Sequence, residues 1–254
     1  MYVDMHVCNA KRNYMSIAKY VPATNDVLRA LSRKDGERLL SRHDQVKLTY
    51  GDILCEPGKP LRHVYFLNSG IVSLLTPVAG HASVEVGLVG HEGMAGMALF
   101  LGVGISPVRM LVQGSGTAMR IGAAAFRLEI QRNPALQREL NLYLYSLMAQ
   151  VAQTVGCNCF HQIGARLARW LLMTQDRVKS NEFRLTHEFL AHMLGVRRSG
   201  VSLAARVLQK KKLIRYSRGN ITILNRKGLE AASCNCYRVV KDLYDQALLQ
   251  RRAH

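Results

Sequence analysis

Nowhere in the chain is there an unbroken apolar run approaching the ~20 residues that a membrane-crossing helix requires. The opening stretch, Met1 to Tyr20, is polar and mixed, and it lacks the apolar centre of a secretory signal. A chain that stays in the cytoplasm, without a membrane partner, is therefore expected. Cysteine is sparse. Six residues, at 8, 55, 157, 159, 234 and 236, form no C-x-x-C pair and no disulfide framework. Reduced thiols are the expectation. The catalytic patterns H-E-x-x-H, G-x-S-x-G and G-x-x-x-x-G-K-[ST] are also missing, so no catalytic constellation supports an enzyme. Acidic residues are the last shortage: 17 Asp and Glu stand against 35 Lys and Arg, a formal net charge of +18. Such an excess favours an anionic polymer or surface through counterion release and steering. Nucleic acid is the commoner partner of that kind, and anionic lipid the alternative.

What is present divides into four parts. With 48% hydrophobic residues in 254, the chain has enough apolar material for two folded domains. Residues 1–22 show no period and read as a flexible lead-in. Over 23–132, one or two short helices around Val27, Leu28, Leu31, Leu39 and Leu40 precede β-type runs. These runs include Val64-Tyr65-Phe66-Leu67, Ile71-Val72-Ser73-Leu74-Leu75 and Arg109-Met110-Leu111-Val112. Gly and Pro punctuate them closely, which indicates an antiparallel barrel or jelly roll. Over 133–160 glycine thins out and the period becomes helical. Asn133 is a suitable N-cap and Pro134 a suitable first-turn residue. Leu136, Leu140, Leu144, Leu147 and Val151 then form an apolar stripe. Such a stripe packs either on its own barrel or on a second copy. A long exposed helix needs a partner, so a homodimer seam is the favoured reading. Residues 161–254 begin with a helix that buries Leu167, Trp170, Leu171 and Met173, and continue as a compact basic unit. The fold class is thus α+β: an N-terminal antiparallel β-roll, a long helix and a C-terminal winged helix-turn-helix.

The last assignment rests on residues 186–208. Thr186 is a good N-cap, Ala191 is small where two helices would cross, and Gly195 tolerates the positive φ of the turn between them. Leu190, Leu194, Val196, Val201 and Ala204 fall at inward spacings. The outward positions of the second helix are Arg197, Arg198, Ser199, Ser202 and Arg206. In a helix-turn-helix that helix enters the major groove of double-stranded DNA, where an arginine reads guanine through O6 and N7. Arg197, Arg198, Ser199 and Ser202 are the candidate base contacts. Beyond them, Arg215-Tyr216-Ser217-Arg218-Gly219-Asn220 reads as the turn of a β-hairpin, the wing. Thr186, His187, Arg206, Arg215, Arg218 and Asn220 are the candidate phosphate contacts.

Together with Tyr50-Gly51-Asp52-Ile53-Leu54-Cys55-Glu56-Pro57-Gly58 and His63-Val64-Tyr65-Phe66-Leu67-Asn68-Ser69-Gly70, this order resembles the Crp/Fnr family of bacterial transcription regulators. The resemblance spans residues 25 to 225. It implies a cyclic-nucleotide-binding-like β-roll sensor, a homodimer on a near-palindromic site, and contact with RNA polymerase. The chain departs from the family in informative ways. Cyclic-nucleotide binders carry a Gly-Glu pair for the ribose and an Arg-Ser or Arg-Thr pair for the phosphate. Here Gly93-Met94-Ala95-Gly96-Met97 places Met97 at the carboxylate's position, and no Arg-Ser or Arg-Thr pair lies near Ser106. A thioether cannot accept two hydroxyl hydrogen bonds. A cyclic nucleotide is therefore not the expected effector. His91, Glu92, Met94, Met97 and Arg109 are the candidate pocket for another molecule, unless the loop is filled by its own side chains. The iron–sulfur members hold their cluster with several N-terminal cysteines, and only Cys8 lies there. No cofactor is assigned and the effector is left unknown. In the recognition helix, Arg198 matches a family arginine, Ser199 replaces its glutamate, and Leu203 takes a later arginine position.

Cys157-Asn158-Cys159-Phe160-His161 and Cys234-Asn235-Cys236 suggest metal ligation. On a helix, however, Cys157 and His161 share a face while Cys159 points away, and Cys234-Asn235-Cys236 has the same defect. Ligands from the two groups could converge in space, but buried inert thiols, without a metal, are the expectation. The alternative to a transcription regulator is a small-molecule-binding sensor module whose DNA affinity is incidental.

Overall fold

The computed structural model describes residues 24–41, 43–79 and 81–252. The expected lead-in over 1–22, Cys8 included, lies outside them. In chain order, helices α1 (Asp26–Arg29) and α2 (Arg33–Leu40) come first. Strands β1 (His43–Leu48), β2 (Ile53–Cys55), β3 (His63–Leu67), β4 (Ile71–Val78), β5 (His81–Val89) and β6 (Met94–Ala95) follow. After a single 3-10 turn, Met97–Leu99, come β7 (Arg109–Gly114) and β8 (Gly116–Gly122). The strands pair antiparallel in two four-stranded sheets, ordered β1-β8-β3-β6 and β2-β7-β4-β5. Val64, Tyr65, Phe66 and Leu67 are all buried on β3. That burial on both faces explains why β3 reads as a continuous apolar run rather than an alternating one. The expected β-roll is present.

Helix α3 (Ala123–Arg132) leads into α4 (Pro134–Phe160). Asn133 caps α4 by accepting from the Leu136 amide at 3.0 Å, and Pro134 occupies the first turn, where its missing N–H costs nothing. Three residues of the leucine stripe, however, face the protein's own core. Leu136 and Leu140 are fully buried and Leu147 nearly so, in one core with Phe66, Phe126 and Tyr143. Leu144 and Val151 are half-buried on the flank of that face, Leu144 against the same core. The expected seam is therefore corrected: Leu136, Leu140 and Leu147 pack α4 onto its own roll.

The outer face of α4 carries Arg138, Asn141, Tyr145, Met148, Ala152, Val155 and Cys159. All are exposed and follow one another at alternating steps of three and four. Tyr145, Met148 and Val155 are 58%, 64% and 56% exposed.

The C-terminal part comprises α5 (Ile163–Val178), β9 (Glu182–Arg184), α6 (His187–Leu194), α7 (Arg198–Lys210), β10 (Ile214–Ser217), β11 (Asn220–Ile223), α8 (Arg226–Ala232) and α9 (Cys236–Arg252). Its core joins Leu167, Trp170, Leu171, Leu190, Val201, Leu208, Ile221 and Leu229. It is docked on the roll. The Trp170 indole N–H donates to Glu85 on β5 at 2.8 Å, the Tyr50 and Phe189 rings meet at 5.9 Å, and α9 returns along α4. Two helices, α8 and α9, follow Asn225. The chain breaks at Ser233, whose backbone is extended. Among the described residues no helix is long and apolar enough to cross a membrane.

Candidate DNA-binding face and the groups behind it

Local chemistry positions the two helices of the motif. Thr186 accepts from the Phe189 amide at 3.1 Å and starts α6. Gly195, at φ +62°, ends it in the left-handed region, and the Val196 amide returns to the Ala191 carbonyl at 3.0 Å. A side chain at Gly195 would also press on Val84 of the roll. Leu190, Ala191, Leu194, Val201 and Ala204 are buried between the helices, with Val196 half-buried beside them, as their spacing implied.

The opposite face of α7 is open. Arg197, Arg198, Ser199, Leu203 and Arg206 are exposed, with Leu203 at 63%. The wing is a two-residue hairpin whose turn, Arg218-Gly219, has positive φ at both positions, the conformation that matches strand twist. Arg215, Arg218 and Asn220 are exposed on it. None of Arg197, Arg198, Arg206, Arg215 and Arg218 is ion-paired with a carboxylate among the described residues.

Three of the expected contacts, Ser202, His187 and Thr186, are differently employed. The Ser202 hydroxyl lies 2.9 Å from His187 Nδ1 and 3.1 Å from the Arg198 carbonyl. The His187 ring stacks on Tyr216 at 4.3 Å, nearly parallel, and Tyr216 donates to the Leu185 carbonyl. Burial, with the Arg198 charge adding to it, holds His187 below its ordinary pKa, so it is neutral at neutral pH. His187 and Ser202 thus act as a strut between α6, α7 and the wing. The Thr186 oxygen serves as the helix cap.

The candidate effector residues do not converge on one pocket. Met94 and Met97 are buried in the roll's core. Arg109 pairs with Glu56 at 2.8 Å. His91 and Glu92, by contrast, line a cavity of about 210 Å³ between the roll, α4, α5 and α9, together with Tyr143, Arg177, Tyr237 and Tyr244. Glu92 pairs with the buried Arg177 at 2.8 Å, and Arg177 also donates to Gln150 at 3.0 Å. Tyr143 Oη, Tyr244 Oη, His91 Nδ1 and Glu92 Oε2 are buried there without a hydrogen-bond partner among the described residues. Sequence reasoning reached His91 and Glu92 but missed the tyrosines, because α4, α5 and α9 are remote in sequence from the glycine-rich loop. Gly93 is the local sign that α4 lies close. A Cβ there would sit 1.9 Å from the Tyr143 ring.

Cys157, Cys234 and Cys236 are buried, as expected of these thiols. Cys157, His161, Cys234 and Cys236 come together, their ligand atoms all within 4.8 Å of one another. The Cys234 thiol lies 3.5 Å from Cys157, and that hydrogen bond holds the Cys157 thiol below its ordinary value. Cys159 points outward, as its position on the helix required.

The chain thus joins an antiparallel β-roll, through a long helix, to a docked winged helix-turn-helix. Residues 165–232 match the Crp-like helix-turn-helix domain. No curated protein matches the chain. Among solved structures, the c-di-GMP-responsive global regulator CLP of Xanthomonas campestris superposes with a TM-score of 0.63 at 16% identity, covering 76% of this chain and 99% of that one. FixK2 of Bradyrhizobium japonicum gives 0.62 at 11% identity, covering 76% and 98%. A Crp/Fnr-family regulator of Thermus thermophilus gives 0.61 at 21% identity, covering 75% and 98%. Residues 165–232 thus resemble a Crp-like helix-turn-helix domain, and the fold as a whole is that of solved Crp/Fnr-family structures.

Proposed function

We propose that the protein is a homodimeric transcription regulator that reads a near-palindromic DNA site through α7 and responds to an effector other than a cyclic nucleotide. One observation carries the reading. The first turns of α7 present Arg197, Arg198 and Ser199 to solvent with no acidic partner among the described residues, on the element that a helix-turn-helix inserts into the major groove. Leu203, one turn on, offers an apolar contact of the kind that suits a thymine methyl group. Arg206 and the wing residues Arg215, Arg218 and Asn220 supply phosphate contacts.

Residues 23–132 with the helix 133–160 form the sensing and dimerising part, and 161–254 the DNA-binding part. The outer stripe of α4, from Asn141 through Tyr145, Met148, Ala152 and Val155 to Cys159, suits a two-stranded coiled-coil seam, since its apolar residues recur at a 3.5-residue period. Two-fold symmetry of the dimer would set the half-sites about one helical turn apart. RNA polymerase is the natural further partner of such a dimer. The cavity beside Glu92, with its unpartnered tyrosine hydroxyls, suits a small polar effector better than the methionine-filled roll suits a nucleotide.

Selection of bound fragments from random DNA tests the reading. The expected result is an enriched two-fold sequence, with Arg198→Ala relaxing the preference at one position in each half-site at a cost of ~1–3 kcal/mol. Failure of any sequence to enrich would overturn it in favour of a ligand-binding module with incidental DNA affinity.

A further inference from the structure

The thiols and the imidazole at the end of α4 make no contribution to the proposed DNA-binding face, yet they are the densest group of metal-ligating atoms among the described residues. Cys157 lies in the last turn of α4, and His161 is the residue that caps it, with its backbone N–H donating to the Cys157 carbonyl. Cys234 and Cys236 flank Asn235 at the break between α8 and α9. On a continuous helix, residues two apart point in nearly opposite directions. The extended backbone at Ser233 removes that constraint, so both sulfurs turn towards α4.

We propose that Cys157, His161, Cys234 and Cys236 form a structural site for a zinc-like divalent cation, which staples the end of α4 to the C-terminal domain. The spacing suits that chemistry. Zinc bonds of ~2.3 Å to sulfur and ~2.0 Å to nitrogen place tetrahedral ligands roughly 3.4–3.8 Å apart. Cys157 and Cys234 sulfurs lie 3.5 Å apart, and Cys236 Sγ lies 3.4 Å from His161 Nδ1. Three soft thiolates and one imidazole select zinc over magnesium, calcium or manganese.

The surroundings fit as well. Gln153 donates an N–H to Cys236 Sγ at 3.0 Å, the outer-shell contact that favours a thiolate. Three thiolates around a divalent ion leave one net negative charge. The buried guanidiniums of Arg166 and Arg169 are the counter-charges within reach of the sulfurs. The Nε of each has no hydrogen-bond partner among the described residues. Arg166 also donates to the Leu194 carbonyl at the end of α6, so the site is continuous with the helix-turn-helix. All three cysteines are buried, and His161 is exposed and offers the side from which an ion can arrive. On loading, the cation displaces the thiol protons to solvent, with no change in oxidation state.

The test uses the reduced full-length protein and reads metal, not DNA, so its result does not depend on the function proposed above. One zinc per chain is expected by elemental analysis after addition of Zn²⁺ alone and desalting. One Co²⁺ per chain should give visible d–d bands of tetrahedral intensity and near-ultraviolet sulfur-to-cobalt absorption. C157S, C234S and C236S should each weaken binding beyond the ~10–100-fold typical of losing an outer-shell partner. H161Q changes an exposed group and tests the site without threatening the fold. It should shift the cobalt bands and weaken binding while C159S and C55S leave both unchanged. No uptake by the reduced protein would overturn the proposal, as would uptake that C157S and C234S leave intact.

Discussion

Glu85 is the residue whose ionisation matters most to the union of roll and reading head. It lies on β5 with its side chain fully enclosed, accepting from Trp170 of α5 and hydrogen-bonded to Ser73. Burial pushes its carboxyl up to about 7, against the smaller opposing pull of Ser73, Trp170, Arg169 and Arg177. A carboxyl raised in the folded state binds more protons there than in the unfolded chain. Stability therefore falls as pH rises from about 4.5 to about 7 and levels off above. At ~1.4 kcal/mol per pH unit, the cost at pH 8 is on the order of 3 kcal/mol. Glu85→Gln keeps an acceptor for Trp170 and carries no charge to desolvate. Urea unfolding should show the variant more stable than the parent at pH 8, by roughly that amount, with the gap closing by pH 5. Equal stability of the two proteins at pH 8 would mean that Glu85 is not desolvated.

At the level of single elements, α4 shows what a sequence pattern can and cannot decide. Its apolar residues form two stripes, one of leucines and one of Tyr145, Met148, Ala152 and Val155, and periodicity alone does not rank them. Burial does. The branched aliphatic stripe fills the roll and the mixed stripe is left outside. The two faces should therefore respond differently to substitution. Leu140→Ala should cost ~2–5 kcal/mol of stability through the cavity it leaves, with the association constant little changed. Met148→Glu should leave the unfolding midpoint of the monomer near that of the parent. It should also drive the protein to monomer in sedimentation equilibrium, since a charge on each chain would face its twin across the two-fold axis. A Met148→Glu protein that stays dimeric would move the seam away from α4. Elsewhere legibility follows local chemistry. The Thr186 cap, the Gly195 turn and the Arg218-Gly219 hairpin each depend on residues adjacent in sequence, and each is legible there. The break between α8 and α9 is not, because Ser233-Cys234-Asn235 contains neither glycine nor proline. Without that break, Cys234 and Cys236 would diverge. The tyrosines around Glu92 are equally hidden, since they meet only after α9 folds back on α4.

For the molecule as a whole, the +18 charge and the open face of α7 make separable claims on DNA. The excess is readable from composition, and its placement on unpaired arginines of α7 and the wing is not. Phosphate contacts release condensed counterions, so log K should fall linearly with log salt, by ~0.9 per phosphate neutralised. In a dimer, Arg206, Arg215 and Arg218 of both copies give about six such contacts, enough for a loss of ~10³ in affinity between 50 and 200 mM salt. Arg218→Ala removes one contact per subunit. The slope should then decrease by about two, with the preferred DNA sequence unchanged. Base contact by Arg198 predicts the converse in part, a relaxed preference at one position of each half-site. Fluorescence anisotropy at several salt concentrations, on preferred and scrambled duplexes, measures both quantities at once. A slope that Arg218→Ala leaves untouched would place the wing away from the phosphates, even if α7 proved to be the reading helix.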